Sequence, residues 1–146
     1  MIRFQEINKD NWEECAALKL KQEQIGFIAS NLYSIAQSQF LDGFSSLAIY
    51  KNQTMIGYTF FGIDSDDNNY WLYRHMIDEM YQGNGYGQIA VQMVIEEIRT
   101  RKDRTDVLVL GYNPENQQAK RLYSKAGFIE EGLAPWGEMI AKYSFV

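Results

Sequence analysis

Residues 2–7, Ile-Arg-Phe-Gln-Glu-Ile, read as a short first strand. Asn11-Trp12-Glu13-Glu14 reads as a capping box, Asn11 capping and Glu14 reaching back, after which Trp12, Cys15 and Ala16 share one helical face. A second helix is expected from about Asn31, because Leu32, Ile35, Ala36 and Phe40 stand at i, i+3, i+4 and i+8 before Gly43. Residues 22–30, between these helices, follow neither period. Residues 47–50 and 55–63 read as strands joined by a turn at Lys51-Asn52-Gln53, and the polar loop 64–69 leads to a third strand over 70–77. Neighbouring strands with short loops imply an antiparallel meander.

The pattern then changes. Residues 88–101 predict a helix whose Ala90, Val91, Val94, Ile95 and Ile98 form one apolar stripe, with Arg99, Arg101 and Lys102 at the negative end of its dipole. Residues 107–110 are continuously apolar, the mark of a strand covered on both faces. Residues 70–112 thus read as strand, glycine-rich loop, helix, strand, a right-handed unit with two parallel strands. Asn113 is expected to cap a further helix with Pro114 in its first position, its stripe being Ala119, Leu122, Tyr123 and Ala126 and its stop Gly127. Residues 128–146 hold two more strands around residues 132–137.

With 146 residues and no repeat or linker, one domain over 1–146 is expected. The 46% hydrophobic and 23% charged residues are those of a soluble globular protein. Lys and Arg number 14 against 19 Asp and Glu, a net charge of −5, which disfavours nucleic acid and suits cationic ligands. Cys15 stands alone, so no internal disulfide forms and a cytoplasmic location is expected. The first residues lack the pattern of a signal peptide, and no apolar run approaches the ~18 residues of a membrane span. One His and one Cys do not assemble a zinc site of the usual type, so no metal is expected.

The most informative segment is Gln82-Gly83-Asn84-Gly85-Tyr86-Gly87-Gln88, between a strand and a helix. Glycines there allow positive φ and close approach of backbone to a ligand, while the first helical turn offers free N–H groups at a positive dipole end. Together these make a pyrophosphate cradle. The plainer alternative is a tight turn needing glycines for geometry alone. No Walker loop is present. Gly85-x-Gly87-x-x-Ala90 fits a dinucleotide fingerprint, but the next strand ends Leu110-Gly111-Tyr112 without the acid that would hold a ribose, and Asp106 is at its wrong end.

Gln82-x-x-Gly85-x-Gly87 resembles the Gln/Arg-x-x-Gly-x-Gly/Ala signature of the GNAT superfamily of N-acetyltransferases, and Asn116…Leu122-Tyr123-x-x-Ala126-Gly127-Phe128 resembles its second motif. The resemblance spans nearly the whole chain. It implies an α/β (α+β) GNAT fold, a central mixed, mostly antiparallel sheet of about seven strands with a splayed parallel pair, flanked by about four helices. It also implies acetyl-coenzyme A as co-substrate. The pantetheine would meet the backbone of His75, Met76 and Ile77, and the pyrophosphate that of Gln82, Gly83, Asn84, Gly85, Tyr86, Gly87 and Gln88. Asn116 matches the asparagine that contacts the coenzyme, and Lys125 is a candidate phosphate partner. Tyr123 matches the tyrosine that protonates the departing thiolate; its alternative reading is a place in the apolar stripe.

The acceptor amine must lose a proton, and with a pKa near ~10.4 it is almost wholly protonated at neutral pH. Some superfamily members carry a Glu where this chain has Gly111, others one on the preceding strand, where Trp71 and Tyr73 stand. The chain departs from both, and a water relay ending on Glu23, His75 or a tyrosine is the remaining expectation. Cys15 has no basic neighbour in sequence to activate it as a nucleophile. Residues 20–37 and the Gln-Gly-x-Gly-Tyr-Gly loop resemble bacterial spermine/spermidine N-acetyltransferases. That implies a polyamine acceptor held by Glu23, Tyr33 and the Asp64/Asp66/Asp67 loop, with another small amine, a protein N-terminus or a non-catalytic acyl-coenzyme A-binding module as alternatives. The tail strands offer an edge for a homodimer.

Overall fold

The computed structural model describes residues 1–146. The strands are β1 (Ile2–Glu6), β2 (Ser45–Lys51), β3 (Thr54–Ile63), β4 (Tyr70–Ile77), β5 (Val107–Tyr112), β6 (Ile129–Leu133) and β7 (Met139–Ser144). The helices are α1 (Trp12–Ala17), α2 (Asn31–Ser38), α3 (Tyr86–Arg99) and α4 (Gln117–Ala126). All seven strands join one sheet in the order β1-β2-β3-β4-β5-β7-β6. Only β4 and β5 run parallel; the other neighbours are antiparallel. The mixed, mostly antiparallel sheet with four helices is the fold the sequence implied.

The parallel pair holds together only at Tyr70↔Leu108 and Trp71↔Val109. Beyond these, β4 continues to Ile77 and β5 to Tyr112 with no shared ladder, so the sheet is open at its centre. On its other edge β4 carries a bulge against β3: Phe60 pairs with Arg74 and Phe61 with Leu72, leaving Tyr73 as the extra residue. On one side of the sheet, the stripe Val91, Val94, Ile95 and Ile98 of α3 is fully buried against Leu72, Leu108 and Leu110. On the other, Cys15 and Ile35 of α1 and α2 cover Ala48, Tyr58, Phe60 and Met76. No helix is long and apolar enough to cross a membrane.

Several local expectations are corrected. The capping box at Asn11 does not form. Asn8 Oδ1 instead accepts from the N–H groups of Asp10 and Asn11, while Asn11 is turned inward to bond Asn8 and Glu6. Trp12 is exposed, leaving Cys15 as the buried residue of α1. Helix α2 is capped by Ser30, which accepts from the Tyr33 N–H, and it does not bury its apolar stripe: Leu32, Ala36 and Phe40 face solvent. It packs through Asn31, Ser34 and Ile35, because Asn31 donates to the Cys15 carbonyl and Ser34 to the Ser30 carbonyl, so both polar groups are satisfied in burial. Helix α4 is capped by Asn116, which accepts from the Ala119 N–H, whereas Asn113 caps only the turn through Pro114 and Glu115. Residues 22–24 form a single 3₁₀ turn.

Candidate active site

Where β4 and β5 part, a cavity of about 530 Å³ opens between residues 20–28, the end of β4, the glycine loop and α4. His75, Met76 and Ile77 line it, as do Gln82, Gly83, Gly85, Tyr86, Gly87, Gln88, Asn116, Tyr123 and Lys125. Asn84 does not; its amide braces the loop by donating to the carbonyls of Tyr81 and Gln82. Glu23 and Tyr33 also lie outside this cavity, both exposed.

The loop sequence explains its shape. Gly83 and Gly85 have φ of +85° and +80°, and a Cβ on either would meet nothing within 4 Å. Backbone conformation therefore requires glycine at these positions, and the space beside them is open. The first helical bond of α3 runs from the Ile89 N–H to the Gly85 carbonyl, so the preceding N–H groups of Tyr86, Gly87 and Gln88 have no helical partner. Gly87 serves packing instead: a Cβ there would stand 3.1 Å from Leu122 of α4.

The opposite wall is fastened by Asp78, which is buried at the end of β4. Its Oδ1 accepts from the Lys19 N–H at 2.8 Å, and the Glu79 N–H donates to the Lys19 carbonyl at 2.7 Å. From that anchor the chain reaches Gln24, whose amide exchanges two hydrogen bonds of 2.9 Å with Gln82 and donates to Gln118. Gln24, Gln118 and Arg121 line the cavity and were missed in the sequence; only the i, i+4 spacing of Arg121 and Lys125 along α4 signals a cationic edge.

Tyr123 packs its ring 6.0 Å from that of Tyr112 and 5.6 Å from that of Phe128. Burial raises its phenol above the ordinary value, so it holds its proton at neutral pH; the same dry surroundings disfavour an unpaired thiolate. Both nitrogens of His75 are engaged, Nδ1 with Thr59 Oγ1 and Nε2 with the Gly87 carbonyl, each at 3.1 Å. Burial lowers its pKa to about 4, so the imidazole is neutral and is not poised to collect a proton. Cys15 is buried, with its thiol pushed up to about 12 by desolvation, and is inert as a nucleophile.

The other face of the opening carries a second group of residues, which the sequence reading did not assemble. Arg74 donates to Gln37 of α2 and to the Tyr73 carbonyl, and its guanidinium lies 5.9 Å from the ring centres of Tyr33 and Tyr73. Its Nε is buried without a partner. Tyr73 donates to Asp64, and Trp71 Nε1 to Asp67 at 2.9 and 3.1 Å.

A split parallel pair, a glycine loop opening a helix and a half-buried tyrosine across the gap are the frame of a transferase that takes an acyl group from coenzyme A. The chain belongs to the acetyltransferase (GNAT) family, whose model matches residues 2–128. It is 26% identical over 133 residues to the spermine/spermidine N(1)-acetyltransferase of Bacillus subtilis, covering 87% of each chain. Its fold is similar to that of the PaiA N-acetyltransferase of Thermoplasma acidophilum, solved with coenzyme A, at TM-score 0.74 and 19% identity over 99% of each chain. It is also similar in fold to the spermidine N-acetyltransferase of Vibrio cholerae, solved with coenzyme A and spermine, at TM-score 0.75 and 14% identity over 97% of this chain and 92% of that one. The chain is an acetyl-coenzyme A-dependent N-acetyltransferase.

Proposed function

We propose that this enzyme acetylates a primary amine of a polyamine such as spermidine or spermine, and that residues 1–146 form a single catalytic domain. Acetyl-coenzyme A supplies the activated acetyl thioester when bound. The glycine-loop N–H groups of Tyr86, Gly87 and Gln88 are free to hold its pyrophosphate, with Asn116 and Lys125 beside them. Tyr123 keeps its proton for the departing sulfur.

The observation that carries the acceptor class is the row of aromatic–acid pairs on the α2 side of β4. Trp71 and Tyr73, with ring centres 6.4 Å apart, are hydrogen-bonded to Asp67 and Asp64. Aromatic faces next to carboxylates suit a chain of ammonium groups. The name of the B. subtilis relative supports the same reading. In this proposal Tyr33 and Glu23 rim the entrance.

A second reading is favoured by Arg74. A cation with an unpartnered buried Nε suits an amine that also carries a carboxylate. Thiol release from acetyl-coenzyme A separates the two, using spermine, spermidine, simple alkylamines and amino acids. Turnover with polyamines and not with amino acids is expected; the reverse order would select the second reading.

A further inference from the structure

Gly111 lies on β5 just past its last residue paired with β4, at the mouth of the opening. Leu108, Leu110 and Tyr112 point to the α3 and α4 side, so by strand alternation Val109 and Gly111 face the α2 side. A Cβ on Gly111 would stand 2.9 Å from Glu138 Oε1 and 3.3 Å from its Cδ. Glu138, half-buried just before β7, thus reaches over strand backbone that carries no side chain. Its Oε1 accepts from Trp136 Nε1 at 2.8 Å, which leaves Oε2 available to a ligand. Tyr123 stands at the same level of β5 but on the opposite face, its ring against Tyr112. A half-buried tyrosine that lines the cavity and a carboxylate outside that lining therefore stand on the two faces of the sheet where β4 and β5 part.

We propose that Glu138, lying over the bare backbone of Gly111, is the carboxylate that receives the acceptor ammonium and takes its proton. The proposal rests on the amine-acetylation reading above and names the base that reading lacks. The ammonium gives one proton to the Glu138 carboxylate, and the freed nitrogen lone pair forms the C–N bond as the thioester C–S bond breaks with its electrons on sulfur. The sulfur takes the Tyr123 proton. The second proton of the nitrogen returns through solvent to the tyrosine, and Glu138 releases its own to water. One amide, one thiol and one net proton result.

Arg74 of β4 is the charged group on which Glu138 acts. Around its guanidinium stand Tyr73 of β4 and Tyr33 of α2, and Tyr58 of β3, which bonds Ser46. On β7 itself, Lys142 shares this face but is paired with Glu131 at 3.1 Å. Strand β5 contributes only Val109 and Gly111. The Glu138 charge acts on the Arg74 guanidinium, favouring its charged form against the larger effect of burial.

The test is Glu138→Gln, assayed with spermidine from pH 7 to 10. The expected kcat/KM at pH 7 falls about 10²-fold or more, and the deficit shrinks toward pH 10, where solvent supplies free amine. The thermal shift given by acetyl-coenzyme A is retained, and calorimetric binding of spermidine to the coenzyme A complex weakens at pH 7. Gly111→Ala displaces the carboxylate without removing it and is expected to lower kcat/KM about 10-fold, again with recovery at high pH. Wild-type kcat/KM in Glu138→Gln at pH 7, or a deficit equal at pH 7 and 10, overturns the proposal alone. A wild-type enzyme that acetylates no amine overturns both the proposal and the reading beneath it.

Discussion

The Nε2 of His75 stands 3.1 Å from the Gly87 carbonyl, so the strand entering the glycine loop is tied to the helix leaving it. A carbonyl only accepts, so Nε2 carries the hydrogen; Nδ1 of the neutral ring then accepts from Thr59. Protonating Nδ1 would turn the Thr59 hydroxyl to its other contact, the Arg74 carbonyl at 3.3 Å. Burial lowers the folded pKa to about 4 against an ordinary 6.5. The unfolded chain thus binds a proton that the folded chain refuses between those values, and stability falls as pH drops from about 6.5 to 4. The loss reaches about 3 kcal/mol at the lower end. Denaturant titrations across that window should show this component in the wild type and not in His75→Gln. Parallel pH dependence in the two proteins would show that His75 titrates normally.

Tyr123→Phe separates binding from chemistry. The ring packing against Tyr112 and Phe128 survives, so acetyl-coenzyme A should bind almost normally. The proton for sulfur is lost, and kcat should fall about 10²-fold or more. An unchanged kcat would return Tyr123 to a packing role and revive the non-catalytic module.

Gly85 tests the cradle. Acetyl-coenzyme A at one hundred times its Kd should stabilise the wild type by about 2.7 kcal/mol, and NADH at the same excess should not. Gly85→Val should lose that shift, because a branched residue is strained at φ +80° immediately before the free N–H groups of α3. A full shift in the variant, measured by thermal unfolding, would place the coenzyme elsewhere.

The coenzyme side of the site was legible in the sequence because its signals are local. The glycines lie within a few residues of one another, and the stripe of α3 is buried as its period requires. The acceptor side was not, because its parts meet only through the sheet. Arg74 reaches Gln37 across residues distant in sequence, and Glu138 meets Gly111 through the pairing of β5 with β7. The period of α2 misled for another reason: Leu32, Ala36 and Phe40 repeat correctly, but Asn31 and Ser34 find hydrogen-bond partners and occupy the core side instead. Apolar periodicity gives no weight to a satisfied polar residue.

The acceptor class makes an electrostatic demand of its own. Asp64 and Asp67 are engaged by Tyr73 and Trp71, whereas Asp66 is exposed in the same loop, with only its N–H bonded, to Asp64. Attraction between such an acid and a multiply charged polyamine is screened beyond about 8 Å at physiological salt. An exposed pair contributes roughly 0.2–1 kcal/mol, so raising the salt should increase KM for spermine by up to about fivefold for each such acid. kcat should change less, because the reacting nitrogen is held inside the opening. A singly charged alkylamine should show a weaker dependence, since it has no distal ammonium to reach the loop. Asp66→Asn and Glu23→Gln should each raise KM for spermine at low salt and flatten its salt dependence. Steady-state kinetics at two ionic strengths checks this. A KM for spermine that ignores salt, with amino acids turned over readily, would assign the site to the carboxylate-bearing amines that Arg74 suits.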